Sequence, residues 1–414
     1  MQLNIFFAVL TAVFFICAKT SFAAPIEILD ARATPEYWIK RAENGDQILL
    51  DAAQIENLNA FLLERDPYSA NLEIFPETVS GEDLTAKILR ASGDVDVSGN
   101  FFTMNNRNLD KIPAEVQTRY AVTVERADLR LVPQPFTGDR YDAFQGTAVD
   151  PAEAVAVLWE SADGKFVFAQ TRNYFGWIAK TAVAFTDRET WLNYARPENF
   201  LVVTDNKKYL SFKGKKILFQ MGAKIPLVTA AKKNNFWTAR IPTSKNGSLR
   251  EVHLRIYDDD KINLGWLDCT TNNFIRQAFK FRGDVYGWGG LNNSVDCSAF
   301  VGDVYRSMGI EIPRDANRQE GAMPIVAVFN DVTRRERNDI VKRSPVGALL
   351  FKPGHVMLKL GNDDKGTPIV IHAASSYMSD GQKIYVRKVL VSDLSYVGGT
   401  VPTLEALTGV AFVK

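Results

Sequence analysis

The stretch from Tyr286 to Gln319 constrains the fold of this chain more than any other part of it. It joins a glycine-rich turn to the sequence Asp296-Cys297-Ser298, and an Asp or Ser in such a place is a start signal for a helix. From Cys297 onward, apolar residues recur at spacings of three and four, namely Phe300, Val301, Val304, Tyr305 and Met308. The pattern predicts an amphipathic helix that begins with a thiol and turns it towards the core.

A thiol in this position has a chemical consequence. The partial positive charge at the N-terminus of a helix favours the thiolate, which is the reactive form of cysteine. Cys297 is therefore predicted to be a nucleophile. The alternative is that it only fills the apolar stripe, because free cysteine is among the residue types most often buried.

Two of the three histidines follow this segment in a predicted hairpin. Residues 349–351 and 355–360 have the pattern of strands, 361–368 form a turn-rich loop, and 369–372 return as a strand. Residues that face each other across a hairpin lie close together, so His355 and His372 are expected nearly opposite one another. The remaining histidine, His253, lies in an alternating strand pattern and is given no role.

One thiol and two facing imidazoles supply the parts of an acyl-transfer site. Cys297 would attack a carbonyl, one histidine would take and return the proton, and the other would fix its orientation. Spacing alone does not decide which histidine is the base. A metal on Cys297, His355, His372 and Asp296 is a third interpretation, but no Cys-x-x-Cys or His-Glu-x-x-His spacing supports it. No metal and no other cofactor is predicted.

Four motifs in this order resemble a known family: the run 286–290 (YGWGG), 296–298 (DCS), 354–356 (GHV) and 371–373 (IHA). They are similar to the NlpC/P60 cell-wall cysteine peptidases. The resemblance implies an α+β chain whose catalytic domain has a papain-like fold, with the cysteine at a helix N-terminus packed on an antiparallel sheet. It also implies hydrolysis of peptidoglycan stem peptides, most commonly between γ-D-glutamate and a diamino acid such as meso-diaminopimelate.

The family's roles transfer to matching positions. The resemblance implies Cys297 as nucleophile, His355 as base and His372 as the orienting residue. It implies substrate contacts at four further positions, which are Tyr286, Asp296, Ser298 and Arg314.

Each of these four positions carries its own expectation. Tyr286 would hold substrate or oxyanion, or act only as an aromatic wedge before the turn. Asp296 would pair with the free amino terminus of a stem peptide, cap the helix, or do both. The backbone amide of Ser298 would face the oxyanion. Arg314 is expected to be a pairing residue rather than a catalytic one.

One part of the family pattern is missing. Gln319 fits the family, but Asp315-Ala316 stands where many members have Ser or Thr, which puts the shape of a subsite in question. The same residues also permit two other functions: a noncatalytic wall-binding scaffold, and an acyltransferase that uses the same covalent intermediate.

The first 23 residues have the pattern of a secretory signal. An apolar run from Ile5 to Ala18 is short for a membrane span and is followed by small residues, so cleavage after Ala23 is expected, with uncleaved anchoring as the alternative. Export to the periplasm or the extracellular cell wall of a bacterium is expected. Cys269 and Cys297 would then remain; a disulfide between them would remove the nucleophile, and Cys269 is predicted to be a buried structural thiol.

Composition excludes some partners. The 49 Lys and Arg nearly balance 48 Asp and Glu, which gives no electrostatic reason to expect nucleic acid. No membrane span is predicted after the signal. A monomer that acts on stem peptides or muropeptides is expected.

The 414 residues divide into four predicted regions after the signal. Residues 26–117 form a mainly helical stabilising region, 118–186 and 198–270 form two SH3-like β-barrels, and 271–414 form the catalytic domain. The barrels are predicted from similar endings, Gly176-Trp177-Ile178 and Gly265-Trp266-Leu267, which resemble the closing strand of bacterial SH3-like modules. Their aromatic residues are expected in the barrel cores. The resemblance to related architectures further implies that a barrel beside the cleft would limit substrates to short, free-ended peptides.

Overall fold

The computed structural model describes residues 26–93, 101–136, 138 and 140–413. The predicted signal of residues 1–23 lies outside these ranges. Among the described residues, no helix has the length and apolar character needed to cross a membrane.

The N-terminal region contains short helices that pack on the rest of the chain. Its elements are α1 Pro35–Ile39, β1 Ile48–Leu50, α2 Ala52–Arg65, β2 Thr78–Ser80, α3 Gly81–Ser92, α4 Phe101–Asn106 and β3 Glu115–Gln117. Helix α2 begins with a capping box, because Asp51 accepts from the amide of Gln54 and its own amide donates to the Gln54 side chain. Trp38 and Leu62 are buried in the core of the C-terminal domain, so this region supports the catalytic domain directly.

The first barrel follows. Its strands are β4 Arg119–Thr123, β5 Ala127–Arg130, β6 Gln145–Val149, β7 Ala154–Glu160, β8 Phe166–Gln170, β9 Phe175–Ala179 and β10 Val183–Thr186. Hydrogen bonds join them in the order β10-β4-β7-β8-β9-β5-β6. Trp177 is fully buried, as expected for an aromatic residue of the barrel core. The prediction that its strand closes the barrel was wrong, because β10 follows β9 and β9 lies between β8 and β5. Strand β6 was not predicted, although it is the strand that meets the catalytic domain.

The second β unit shares a core with the first. Its elements are α5 Arg188–Ala195, β11 Phe200–Val203, β12 Lys207–Phe212, β13 Lys215–Gln220, β14 Lys224–Pro226, β15 Phe236–Lys245, β16 Ser248–Tyr257 and β17 Ile262–Leu264. Strand β16 pairs with β10 through Phe185 and Ser248, and one apolar cluster contains residues of both units. The predicted closing strand at 264–267 was placed too late: the strand ends at Leu264, and Trp266 is only partly buried. A second SH3-like barrel remains a prediction.

The C-terminal domain is a layer of helices on an antiparallel sheet. Its elements are β18 Cys269–Thr270, α6 Thr271–Lys280, α7 Cys297–Arg306, α8 Ala316–Ala322, β19 Ile325–Val328, α9 Arg334–Arg343, β20 Leu349–Lys352, β21 His355–Asn362, β22 Pro368–Ser379, β23 Gln382–Ser392, α10 Thr403–Ala406 and β24 Gly409–Ala411. The sheet order is β19-β24-β20-β21-β22-β23. The apolar face of α7 packs on this sheet in a single core, which places the start of α7 above β21 and β22.

Candidate active site

The segment before α7 is a turn closed by an isolated bridge between Tyr286 and Val295. The amide of Gly287 donates to the carbonyl of Val295 at 2.9 Å, and the amide of Tyr286 donates to the carbonyl of Arg387 at 2.9 Å. Val295 lies two residues before Cys297, so these bonds hold the backbone of Tyr286 near the start of α7. Burial and the neighbouring Cys297 and Asp296 raise the pKa of Tyr286 above its usual value. Its hydroxyl therefore keeps its proton and can donate a hydrogen bond.

Helix α7 begins as its sequence predicts. The Asp296 side chain accepts from the amide of Ala299 at 2.8 Å and caps the helix, and Cys297 is its first residue. The cysteine is 7% exposed, and the apolar stripe that follows it is buried. The nucleophile candidate thus lies at the edge of the core, with its helix fixed by packing on the sheet.

Asp296 is also the centre of a buried ion pair. Arg314 donates to both carboxylate oxygens, at 3.1 and 2.8 Å, and to the hydroxyl of Ser298 at 2.9 Å. The amide of Gly289 donates to the same carboxylate at 2.9 Å. Arg314 is the charge that holds the pKa of Asp296 below its usual value against the opposing effect of burial. Arg314 is thus a pairing residue, as predicted, and both Asp296 oxygens already have protein donors.

The two histidines lie side by side on neighbouring strands. Nε2 of His355 on β21 is 2.8 Å from Nδ1 of His372 on β22. Nε2 of His372 is in turn 3.1 Å from Oγ of Ser392 at the end of β23, and the ring of Tyr396 stacks on His372 with centroids 5.6 Å apart. His372 is fully buried. The orientation of the His372 imidazole is therefore fixed by hydrogen bonds at both ring nitrogens and by the stacked ring of Tyr396.

Both rings are uncharged near neutral pH. Burial lowers the pKa of His372 to about 3, and the charge of Lys352 adds to this effect. Burial also lowers the pKa of His355 well below its usual value, with further contributions from His372 and Lys352. A neutral imidazole at His355 has a lone pair available to accept a proton, which a general base requires.

The pKa of Cys297 is shifted in the direction opposite to the effect expected from the helix N-terminus alone. Burial raises the pKa of Cys297 to about 12, and the charge of Asp296 adds to the rise. The backbone amides of Val356 and Ser298 and the charge of Arg314 act in the opposite direction but do not outweigh burial. Cys297 at rest is therefore a thiol that accepts a hydrogen bond from the backbone amide of Val356, the residue after His355. Its proton must leave the sulfur before or as the sulfur attacks a substrate.

The other cysteine takes no part in the site. Cys269 and Cys297 are both free, so the disulfide that would have removed the nucleophile is absent between them. Cys269 is buried on β18, and burial raises the pKa of its thiol to about 11. Across the described ranges, no group of His, Cys, Asp and Glu side chains is arranged to hold a metal ion.

The first barrel contacts the residues that shape this site. Oγ1 of Thr147 on β6 accepts from Nε of Arg314 at 2.6 Å, and the Gln145 side chain donates to the carbonyl of Gly289 at 3.1 Å. The rings of Tyr141 and Trp288 meet with centroids 4.9 Å apart. The barrel therefore stabilises both the turn after Tyr286 and the arginine that pairs with the helix cap.

Sequence reasoning missed several of these residues. Ser392, Tyr396 and Thr147 come from elements distant in the chain and carry no motif of their own. The register of β22 and β23, which was not predicted, pairs His372 with Leu390 and so makes Ser392 a diagonal neighbour of His372. A prediction of the strand after His372 could have found this residue.

Comparison with known proteins identifies the domains. Residues 283–390 match the model of the NlpC/P60 family, and residues 132–179 match that of the SH3 domain of the SH3b1 type. The chain is 28% identical over 213 residues to Dipeptidyl-peptidase 6 of Lysinibacillus sphaericus, a match that covers 49% of this chain and 72% of that protein.

Two solved structures share the fold. An NlpC/P60 endopeptidase from Photobacterium damselae subsp. piscicida superimposes with a TM-score of 0.72 at 16% identity, covering 94% of this chain and 98% of that one. An NlpC/P60 family protein from Bacillus cereus ATCC 10987 gives a TM-score of 0.50 at 17% identity, covering 71% and 99%. The chain thus contains an NlpC/P60 domain, from a family of cysteine peptidases, preceded by an SH3 domain of the SH3b1 type.

Proposed function

We propose that this protein is a cysteine peptidase that cuts peptidoglycan stem peptides through a thioester intermediate. The observation that carries the proposal is that Cys297, at the start of α7, accepts a hydrogen bond from the amide of Val356, directly after His355 in the hydrogen-bonded pair of His355 and His372. This arrangement lies within the part of the chain that matches the NlpC/P60 family.

The hydrogen bonds define which nitrogen acts as the base. His355 uses Nε2 for His372, so Nδ1 is the nitrogen available to the thiol. For Nδ1 to carry the lone pair, Nε2 must hold the proton and donate it to Nδ1 of His372. His372 then carries its proton on Nε2 and donates to Ser392. The hydrogen bonds thus all point the same way: His355 donates to His372, and His372 donates to Ser392.

The reaction then balances in two steps. The thiol proton moves to Nδ1 of His355 as the sulfur attacks the amide carbonyl, and the resulting tetrahedral adduct expels the amine, which takes that proton. Water next attacks the thioester with His355 again as base, which releases the acid and regenerates the thiol. We assign orientation of His355 to His372.

The negative oxygen of the adduct needs donors that are already in place. The backbone amide of Ser298 lies at the start of α7 and hydrogen-bonds to the thiol, and the Tyr286 hydroxyl is protonated and has a pKa that responds to the charge of Cys297. Fixed donors of this kind stabilise a developing oxyanion without reorganising. We assign that role to these two residues.

The substrate we propose is a stem peptide with a free amino terminus, cut between γ-D-glutamate and a diamino acid such as meso-diaminopimelate. A relative named as a dipeptidyl-peptidase supports cleavage after two residues. The first barrel, which contacts the turn beside Tyr286, supports a closed end on that side. Asp296 would bind the ammonium in addition to its bonds with Arg314.

The location we propose follows from the substrate. The NlpC/P60 and SH3b families are typically exported and associated with the cell wall, so we place this protein in the periplasm or cell wall of a bacterium as a monomer. Digestion of defined muropeptides with mass analysis of the products tests the function. Release of the dipeptide from free-ended stems is expected, and an unchanged set of peptides would refute the proposed substrate.

A further inference from the structure

A lysine stands directly opposite the candidate base. Strands β20 and β21 are joined by the tight turn of Pro353 and Gly354, and Lys352 pairs with His355 across it. Paired residues of an antiparallel hairpin project from the same face of the sheet. The Lys352 side chain therefore leaves the sheet on the face that carries the His355 imidazole.

The ammonium group of Lys352 has few partners. Its Nζ donates to the carbonyl of Gly398 at 3.4 Å, a long contact for a group with three donors. In the described residues no ion pair of Lys352 is found, and the only charge acting on its pKa is that of Cys297, while burial lowers that pKa. Lys359 is different, because its buried amine donates to the carbonyls of Lys342 and Ser344. The amine of Lys359 therefore has two close hydrogen-bond acceptors, whereas that of Lys352 has one distant acceptor.

The surroundings of Lys352 are partly open to solvent. Its side chain is half-buried, and the residues beside it, Pro353 and Gly354, are exposed. Gly398, which its Nζ contacts, is followed by the exposed Gly399. The charge of Lys352 lowers the pKa of both imidazoles, and that of Cys297 raises the pKa of Lys352. A cation without an ion pair in the described residues thus lies at the partly exposed end of the hairpin that carries His355.

We infer that Lys352 binds a carboxylate on a residue next to the bond that Cys297 attacks, and so makes the site selective for acidic peptides. The inference rests on the proposed function. A glutamate linked through its γ-carboxyl keeps a free α-carboxylate near the scissile carbonyl, and meso-diaminopimelate carries further carboxylates on the leaving side. A charge-assisted hydrogen bond to such a group would give Lys352 the partner that it lacks.

A test that needs no peptidase activity compares two alkylating reagents of similar size. Iodoacetate carries a carboxylate, and iodoacetamide carries a neutral amide in its place. In both reactions the thiol proton passes to His355, the sulfur bonds to the CH₂ carbon and iodide leaves. The rate at Cys297 is measured by peptide mapping in a Cys269→Ser background, and the ratio of the two rates reports carboxylate binding beside the sulfur.

Lys352→Gln is expected to lower the iodoacetate-to-iodoacetamide ratio by about tenfold or more, since hydrogen bonds to charged groups are worth about 1.5–3 kcal/mol. Lys365→Gln removes a lysine from an exposed loop and is expected to leave the ratio unchanged. Lys352→Arg keeps the positive charge and should retain most of the wild-type iodoacetate-to-iodoacetamide ratio. An equal fall for both reagents, or no change in Lys352→Gln, would overturn the inference.

A second arm separates this inference from the proposed function. Stem peptides with γ-D-glutamate or its α-amide, and with free or amidated diaminopimelate, are cleaved by wild type and Lys352→Gln. Selective loss of kcat/KM on one acidic member, by about tenfold or more, identifies which carboxylate is bound. If wild type cleaves none of the peptides while the alkylation ratio still depends on Lys352, the proposed substrate fails and the carboxylate site stands.

Discussion

Nε2 of His355 lies 2.8 Å from Nδ1 of His372, and burial keeps both rings uncharged. The pair explains how a thiol whose pKa is raised to about 12 could still react. The proposed base, His355, is neutral and oriented, and the amide of the next residue, Val356, donates to the thiol. Proton removal and attack on the carbonyl can then occur together.

Loss of the orienting ring should slow the chemical step and leave binding intact. His372→Ala is expected to lower kcat by about 10²- to 10⁴-fold with little change in KM, because His355 loses the acceptor that fixes its tautomer. His372→Gln retains a hydrogen-bond acceptor and should recover part of the rate. Steady-state kinetics on a free-ended stem peptide, with circular dichroism to verify folding, measures the effect. A change in KM alone would contradict the orienting role.

Stability should fall in mild acid because of the same two rings. Above pH 6.5 both histidines are neutral in the folded and unfolded states and contribute no pH dependence. Below it, the unfolded chain binds protons that the folded state does not. The free energy of unfolding is therefore expected to fall by about 1.4 kcal/mol per pH unit for each histidine. Urea unfolding between pH 6.5 and 5 measures the slope.

Two variants control that experiment. His372→Gln removes one titrating group and should make the slope shallower by one proton, and His253→Gln on β16 is the matched loss of an exposed histidine outside the site. Equal slopes in wild type and His372→Gln would contradict the assignment of a neutral buried ring.

The buried pair of Arg314 and Asp296 should behave as a unit. Arg314→Met leaves the Asp296 carboxylate buried without its cation, at an expected cost of about 3–5 kcal/mol. Adding Asp296→Asn to it should recover part of that loss, because no uncompensated charge remains. Arg334→Met, which breaks an exposed pair with Glu405 at 2.9 Å, should cost less than about 1 kcal/mol. Strict additivity of the two buried changes in denaturant unfolding would contradict the coupling.

The first barrel lies so close to the turn at Gly290 that a side chain at this position should be destabilising. A Cβ at this position would lie 2.8 Å from that of Ala148 on β6, and the backbone has φ +80°. Gly381 has φ +74° with nothing within 4 Å of its own Cβ position. Gly381→Ala should therefore cost only the left-handed strain of about 1–2 kcal/mol. Gly290→Ala should cost about 1–3 kcal/mol more and lower kcat/KM. Equal costs by thermal unfolding would show that the barrel can move away.

Local signals account for the parts of the structure that the sequence predicts. Neighbouring residues in the sequence are enough to predict the capping aspartate, the apolar stripe after Cys297 and the strands that carry the two histidines. The run 145–149 (QGTAV) has no strand alternation and begins with a glutamine and a glycine, which is why β6 was not predicted. Thr147 on β6 accepts a hydrogen bond from Arg314, which lies far along the chain. No local sequence pattern predicts such a contact.

The pKa of Cys297 also depends on more than its local sequence. A helix N-terminus lowers the pKa of a thiol, and that effect can be inferred from sequence. Burial against the sheet and the charge of Asp296 raise it, and their sum depends on the complete fold. The sequence predicts where Cys297, His355 and His372 lie in the fold, but the pKa of the thiol depends on packing that the sequence does not show.

The central claim is tested most directly by trapping the intermediate. Wild type is mixed with a free-ended stem peptide, quenched in acid within one turnover and digested for mass spectrometry. The account predicts an adduct with the mass of the acyl half on the peptide that contains Cys297, which Cys269→Ser retains and Cys297→Ala lacks. Hydrolysis that persists in Cys297→Ala, or an adduct on another residue, would contradict it.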